Sequence, residues 1–190
     1  MRKSNVLTEQ GDSQRAVITA RRAARLAARH APQQEAICLR QVALAEAQLR
    51  QERHARAAID RALELTSSSP AVHDFSAYCT IPYVQMEGAL CLLTLGQPAA
   101  AAQACTEALA SWPPDRARDE ALCLSRLAVA QLELRQIDAA CDAALTAIDR
   151  VQAAPSARTL HLLRVIARRV TPLNEARRIR ELREALAAVA

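Results

Sequence analysis

Leu90–Trp112 reads LCLLTLGQPAAAAQACTEALASW, and this stretch decides the fold. The apolar run ends at Leu95, Gly96 supplies the positive φ that terminates a helix, and Pro98 begins the next helix. The second helix carries a stripe of small side chains, which are Ala101, Cys105 and Ala108. Because small side chains let two helix backbones approach closely, the stretch predicts a tightly crossing helical hairpin.

The composition extends this prediction to the rest of the chain. Hydrophobic residues make up 51% of the 190 residues, whereas aromatic residues make up 2%. Strands favour β-branched and aromatic residues, so the composition indicates helices nearly everywhere. The length fits one helical array, and we expect a single domain over residues 1–190. No apolar run approaches about 20 residues and no signal-type segment is present, which predicts a cytoplasmic protein without membrane contact.

Six cysteines raise the question of a disulfide framework or a metal site. Five fall inside helical runs where alanine would serve equally well, namely Cys38, Cys91, Cys105, Cys123 and Cys141. No two cysteines have CxxC spacing, so a zinc site has no support. We expect the five helical cysteines to be buried free thiols that react slowly, with Cys79 in its connector as the exception if any cysteine reacts, and neither a metal nor a cofactor.

The formal net charge of +5 is unevenly distributed. Residues 1–30 and 151–190 each carry +5, whereas residues 31–150 carry −5. Basic ends are typical of some nucleic-acid binders, but Lys3 is the only lysine and the arginines are spread around the helices. A solvated, arginine-rich surface is therefore the preferred interpretation.

Turn and cap signals divide the chain into about nine helices. Asp12 and Thr80 are the expected N-caps of two of them. The predicted helices span residues 13–30, 32–50, 52–66, 81–95, 98–111, 115–134, 137–152, 155–170 and 174–189. Residues 1–10 are expected to form a frayed start, 71–79 an irregular connector, and 174–190 a C-terminal capping helix.

Small residues recur at matching offsets in three successive hairpins. The first helices carry Ala43, Ala89 and Ala128, and they close at Leu49, Leu95 and Leu134. The second helices carry Ala55, Ala101 and Ala140, and then Ala62, Ala108 and Ala147. The same offsets extend to Gly11, Ala16 and Ala23 upstream, and to Ala167 and Leu173 downstream. Successive copies are 39, 46 and 39 residues apart, and a set held in this way indicates a helical repeat.

This pattern resembles the tetratricopeptide repeat (TPR), in which a small residue of the first helix packs between two alanines of the second. The resemblance covers residues 11–170 and implies antiparallel hairpins stacked in a right-handed superhelix. The spacing exceeds the family period of about 34 residues because the connectors are longer. Gln85, Gly88 and Leu92 stand where the family motif has Trp, Leu and Tyr.

The chain is also similar to the carboxy-terminal halves of actinobacterial helix-turn-helix transcription regulators. The residues that carry this similarity are CLLTLGQPAAAAQACTEALASWPPDRARDEALCLSRLAVAQLEL (91–134), PSARTLHLLRVIARRV (155–170) and IRELREALAAV (179–189). The similarity implies a sensor half of a regulator, standing alone or as a fragment, with DNA contacted only through a separate domain or partner.

The segment VHDFSAYC (72–79) is the one place where a nucleophile, a base and an acid come together, as Cys79, His73 and Asp74. Adjacency in sequence does not supply the geometry of a triad, and no GxSxG, phosphate-binding loop or HExxH motif accompanies them. We therefore expect no enzymatic activity. The other histidines, His30, His54 and His161, are expected to face solvent.

Three of the four aromatic residues cluster here, as Phe75, Tyr78 and Tyr83. Two interpretations stay open. In the first, the connector folds back and its aromatic side chains pack in the core. In the second, the connector forms the wall of a pocket. The first is preferred because large aromatic side chains are usually buried.

First helices line the concave surface in repeat arrays of this kind. The register predicts a partner-binding face formed by Arg40, Leu44, Gln48, Tyr83, Met86, Leu90, Thr94, Leu122, Ser125, Val129, Glu133, His161, Arg164 and Arg168. An apolar centre with a basic end suits an extended peptide or an amphipathic helix with acidic groups. The hypothesis is a non-catalytic protein- or peptide-binding or ligand-sensing domain of a bacterial transcription-control protein. A homodimer is one of the oligomeric states that the sequence leaves open. The alternatives are a free-standing scaffold and a sequence-independent nucleic-acid binder that uses the basic ends.

Overall fold

The chain is helical throughout the part that the structure describes. The structure is a computed structural model, and it describes residues 2–29, 31–68, 76–170 and 177–189. These residues form ten helices and no strand, which confirms the predicted all-α class. The helices are α1 (Arg2–Glu9), α2 (Ser13–Ala27), α3 (Pro32–Gln48), α4 (Glu52–Ser68), α5 (Ile81–Thr94), α6 (Pro98–Ala110), α7 (Ala117–Glu133), α8 (Ile137–Ala153), α9 (Ala157–Val170) and α10 (Arg177–Ala188).

The nine predicted helices all form, and the tenth is α1, where a frayed start was expected. Leu7 is buried, and Ser4 Oγ donates a hydrogen bond to the Ala16 carbonyl oxygen at 3.0 Å, so α1 is held against α2. The two expected caps are confirmed. The Arg15 N–H donates to Asp12 Oδ1 at 3.2 Å, and the Tyr83 N–H donates to Thr80 Oγ1 at 3.4 Å.

Four helices, α1, α3, α5 and α7, end in the same way. The residue that terminates each has a positive φ: Gly11 (79°), Arg50 (60°), Gly96 (80°) and Arg135 (63°). In all four, the next N–H donates at 2.9 Å to the carbonyl five residues earlier, as in the Schellman motif. These ends are spaced 39, 46 and 39 residues apart, like the alanines, so the backbone repeats with the same register as the sequence.

Replacing Arg135 by Gly should stabilise the protein by about 0.5–1 kcal/mol, because glycine adopts a positive φ without the steric cost of a Cβ. Arg50→Gly should increase the free energy of unfolding by less, since it also removes the hydrogen bond from Arg50 Nη1 to the Thr94 carbonyl oxygen at 2.7 Å. Gly96→Ala should destabilise by about 1 kcal/mol. Urea unfolding measures all three, and a loss of stability in Arg135→Gly would contradict this account of the turn.

The nine alanines of the three hairpins are all buried, with at most 1% of their surface exposed. They are Ala43, Ala55, Ala62, Ala89, Ala101, Ala108, Ala128, Ala140 and Ala147. The register weakens at its upstream end, where Ala16 is buried but Ala23 is only partly so. Downstream, Ala167 is buried and Leu173 lies outside the described residues. The predicted helical repeat is thus supported in its packing as well as in its turns.

Residue contacts divide the chain into two compact units, residues 1–97 (unit 1) and 98–190 (unit 2). The boundary follows Gly96, so α5 belongs to unit 1 and α6 to unit 2. The crossing of these two helices, the single domain over residues 1–190 and the right-handed superhelix therefore stay predictions.

Unit 1 is built around α3, which packs against α1, α2, α4 and α5. Helices α4 and α5 approach closely at Gly88, where an added Cβ would lie 3.2 Å from Ile59 Cγ2. Glycine inside a helix costs about 1 kcal/mol relative to alanine, so this position is best explained by the close approach.

Unit 2 is built around the α7–α8 pair, with α6 against α7 and α9 against both. Helix α10 packs on α8 and α9 through its buried stripe of Ile179, Leu182 and Leu186. This is the stripe expected of a C-terminal capping helix, although residues 174–176 lie outside the described part.

Candidate partner-binding face

The residues of the predicted partner-binding face fall on four first helices. Those in unit 1 lie on α3 (Arg40, Leu44, Gln48) and α5 (Tyr83, Met86, Leu90, Thr94). Those in unit 2 lie on α7 (Leu122, Ser125, Val129, Glu133) and α9 (His161, Arg164, Arg168). Helices α3 and α5 pack together, and so do α7 and α9, so the seven residues of each unit lie on two helices that are in contact. The continuity of the row across the two units stays a prediction.

The exposed part of this face is narrower than predicted. Gln48, Glu133, His161, Arg164 and Arg168 are exposed, whereas Leu44, Tyr83, Leu90, Thr94 and Val129 are half-buried. Met86 and Ser125 have no exposed surface, and Arg40 and Leu122 are each 8% exposed. The prediction of Met86 as an apolar anchor is therefore wrong for this conformation.

The helix geometry explains this correction. At 3.6 residues per turn, Tyr83, Leu90 and Thr94 lie within about 40° of one another around α5, whereas Met86 is about 60° from Tyr83. Ser125 has the same offset from Leu122 on α7. Met86 and Ser125 have no exposed surface, so the part of α5 and α7 that reaches solvent excludes these two positions.

A buried ion pair lies next to Tyr83, which is one of the half-buried residues of the predicted face in unit 1. Arg40 Nη1 donates to Glu87 Oε2 at 2.9 Å, and these side chains are 9% and 4% exposed. The Arg40 guanidinium lies 5.5 Å from the centre of the Tyr83 ring. Tyr83 in turn meets Tyr78 edge to face, with ring centres 5.0 Å apart. The Arg40–Glu87 pair thus fixes the position of the Tyr83 side chain, which is partly exposed at the surface.

The electrostatics of this cluster favour the charged form of Arg40. Burial lowers the pKa of the guanidinium, but the Glu87 carboxylate and the Tyr83 and Tyr78 phenols more than offset burial and raise that pKa. Burial also raises the pKa of Tyr78, although Arg40 opposes this. The arrangement can therefore position side chains, and it keeps Arg40 cationic and the Tyr78 phenol neutral near pH 7.

Sequence reasoning missed the polar position next to this face. Gln41, Glu87 and Arg126 occupy equivalent positions of three first helices, 46 and 39 residues apart, and each is at most 4% exposed. A core position would ordinarily be apolar. The signal was available, because three polar residues share one register position.

Tyr83 satisfies both interpretations of the aromatic cluster in part. Its ring packs on Tyr78 and Arg40, as expected of a core plug, yet the residue is only half-buried and so also belongs to the partly exposed part of the face. Phe75 lies outside the described residues, as do His30, His73 and Asp74 of the other sequence-based expectations. His54 and His161 are exposed, as predicted.

All six cysteines lie in the described part of the chain and are free and buried, as predicted for the five helical ones. Cys79, which was the expected exception if any cysteine reacts, has no exposed surface either. Burial raises the pKa of the Cys79 thiol to about 11. The mutual hydrogen bond of Cys105 and Cys123, followed by burial, raises the pKa of Cys123.

Native Cys79 should react with a bulky thiol reagent at least about a hundred times more slowly than an exposed thiol at pH 8. The raised pKa removes thiolate by about that factor, and burial blocks access besides. All six thiols should become reactive together in denaturant. Mass spectrometry after timed labelling measures this, and preferential labelling of Cys79 in the folded protein would contradict it.

Within the described ranges, no three His, Cys, Asp or Glu side chains are grouped to hold a metal ion. No helix in the part of the chain that the structure describes is long and apolar enough to cross a membrane.

Comparisons with known proteins bear on the fold alone. No family model matches the chain. No curated protein matches it either. Among solved structures, it is similar to BtubC (BKLC) from P. vanneervenii, with a TM-score of 0.72 and 17% sequence identity. The alignment covers 93% of this chain and 73% of that chain. This likeness supports a helical repeat-like fold.

Proposed function

We propose that this chain is a TPR-like, non-catalytic domain that binds a protein or peptide through the first-helix face. One observation carries the proposal. Tyr83, Leu90 and Thr94 remain partly exposed on one side of α5, and the ring of Tyr83 lies 5.5 Å from the guanidinium of Arg40, which pairs with Glu87 in the interior. Partly exposed side chains that are held in place by a buried ion pair form the kind of surface on which the apolar side chains of a peptide bind.

The charges of the face define the chemistry of the partner. His161, Arg164 and Arg168 on α9 are exposed, and among the described residues no carboxylate is paired with Arg164 or Arg168. An acidic group of the partner would pair with these two arginines, while an apolar side chain of the partner would meet the half-buried Val129 on α7 of the same unit. The partner is therefore an acidic, partly apolar peptide or helix.

The role that we propose for this binding is regulatory, within a bacterial transcription-control protein. It is supported by the similarity of residues 91–134, 155–170 and 179–189 to the carboxy-terminal halves of helix-turn-helix regulators. DNA would then be contacted through another domain or partner. A free-standing scaffold is the alternative, and it differs in joining two proteins at once.

Arg164→Ala combined with Arg168→Ala should weaken partner capture about tenfold at low salt and have little effect at high salt. Exposed charges are screened over about 8 Å at physiological ionic strength, so high salt should mimic the variant. Capture from the native cytosol, with quantification of the bound species, measures the effect. The matched control is Arg53→Ala with Arg183→Ala, which removes two exposed arginines from second helices.

The two double variants separate the possible outcomes. Normal capture by the control and weakened capture by the α9 variant supports the face. Equal weakening by both, with random DNA competing for the site, would instead favour the nucleic-acid alternative, because phosphate binding depends on the number of cations.

A further inference from the structure

A second surface lies on α2, outside the proposed partner-binding face. Two of the most exposed large apolar side chains in the described chain are on this one helix, Ile18 at 66% and Leu26 at 65%. They are two turns apart, which is about 12 Å along the axis. Single exposed apolar residues are ordinary, but two on one face of a helix form a patch.

Arginines surround this apolar pair. Ile18, Arg22 and Leu26 form one ridge of the helix surface, Arg21 and Arg25 belong to the neighbouring ridge, and Arg29 lies in the turn that follows α2. Arg21 and Arg15 are compensated, by Glu46 at 2.6 Å and Asp12 at 3.1 Å. Among the residues that the structure describes, no carboxylate pairs with Arg22, Arg25 or Arg29, and all three are exposed.

We propose that Ile18, Arg22, Arg25, Leu26 and Arg29, the α2 outer face, dock an acidic amphipathic helix of a partner protein. The two ridges leave a groove that fits the ridge of a second helix. Apolar residues two turns apart on the partner would meet Ile18 and Leu26. Flanking Glu or Asp residues would pair with the three uncompensated arginines.

The charge and the apolar pair exclude other occupants. A second copy of this chain that docked through the same face would place arginines opposite arginines, which is unfavourable. Nucleic acid would pair with the arginines but leave Ile18 and Leu26 against phosphates, and the face has no aromatic side chain on which bases stack. A membrane-surface helix needs a continuous apolar face, whereas Arg22 interrupts the apolar ridge here and the buried side of α2 is already used within the fold.

The full-length protein tests this with a designed probe, since the partner is defined only by its chemistry. The probe is a fluorescent helical peptide with two leucines eight residues apart and glutamates on both sides of them. The comparison ligands are a scrambled peptide of the same composition, vesicles of phosphatidylcholine and phosphatidylserine, and random double-stranded DNA. Fluorescence anisotropy at two salt concentrations gives the affinities, and sedimentation gives the oligomeric state.

Ile18→Ser with Leu26→Ser should weaken peptide binding about tenfold or more at both salt concentrations. Arg22→Gln with Arg25→Gln should weaken it severalfold and flatten its salt dependence. The control Ile81→Ser, which changes a 40%-exposed side chain on α5, should leave the affinity unchanged. All these positions are exposed, so thermal melts should agree within a few degrees.

Results with the comparison ligands can also overturn the proposal. Equal binding of the scrambled peptide would show attraction by charge alone and overturn it. Tighter binding to the vesicles, displacement of the peptide by DNA, or self-association that Ile18→Ser with Leu26→Ser abolishes would also overturn it. So would the absence of saturable peptide binding.

Discussion

Replacing Glu87 by Ala should destabilise the protein by about 3–5 kcal/mol, which is the largest effect that we expect of a single substitution. The variant leaves the Arg40 guanidinium buried without its carboxylate partner at 2.9 Å. Water cannot solvate the guanidinium in place of the carboxylate without a large cost in free energy, because only 8% of Arg40 is exposed. For a chain of this size the loss corresponds to a fall in Tm on the order of 10 °C. Urea unfolding followed by circular dichroism measures it.

Glu64→Ala is the matched control, because it removes an Arg–Glu pair of similar length from the surface. Arg61 Nη1 lies 3.0 Å from Glu64 Oε2, and both side chains are more than half exposed. Its loss should cost less than about 1 kcal/mol. Arg40→Met with Glu87→Leu should be less destabilised than Glu87→Ala, since it leaves no buried charge. Equal stability of Glu87→Ala and Glu64→Ala would contradict the buried-pair account.

Replacing Ala101 by Leu should cost about 1–3 kcal/mol, because it overpacks a helix crossing that is built for a small side chain. Ala101 has no exposed surface, and α6 packs against α7 within unit 2. Ala128 of α7 and Ala108 of α6 are equally buried, and because protein interiors are close-packed the added atoms should displace their neighbours. Thermal unfolding detects the loss as a lower Tm.

Ala99→Leu is the control, because Ala99 is exposed on the same helix and should tolerate leucine within about 0.5 kcal/mol. Ala100 is less suitable, since the structure places it half-buried. The same loss of stability in Ala99→Leu and Ala101→Leu would show that the alanine register does not describe the packing.

The helices and the repeat could be predicted because their signals are local. Gly96 and Pro98 mark a helix end and a helix start by their own backbone chemistry, and alanine at fixed offsets reports a close crossing regardless of which helix lies opposite. Asp12 and Thr80 cap helices through bonds that span three residues. Local signals of this kind do not depend on the tertiary structure.

The details of the candidate site depended on contacts between distant residues. Arg40 and Glu87 are 47 residues apart, so the sequence around either residue did not predict the ion pair. Met86 and Cys79 became buried because neighbouring segments cover them, which a helical register does not specify. Arg50 and Arg135 adopt a positive φ although arginine has no local preference for it. Their offsets from Gly96 were the available signal, and only a repeat-based comparison could read it.

Photocrosslinking tests the proposed partner-binding face most directly. A photoreactive amino acid is placed singly at Thr94 and His161 on first helices, and at Arg53 and Asp149 on second helices as controls. Each variant is irradiated in native cytosol, and the crosslinked species are identified by mass spectrometry. The account predicts that Thr94 and His161 capture the same protein and that Arg53 and Asp149 do not. Capture of that protein from Arg53 and Asp149, with none from Thr94 and His161, would contradict it.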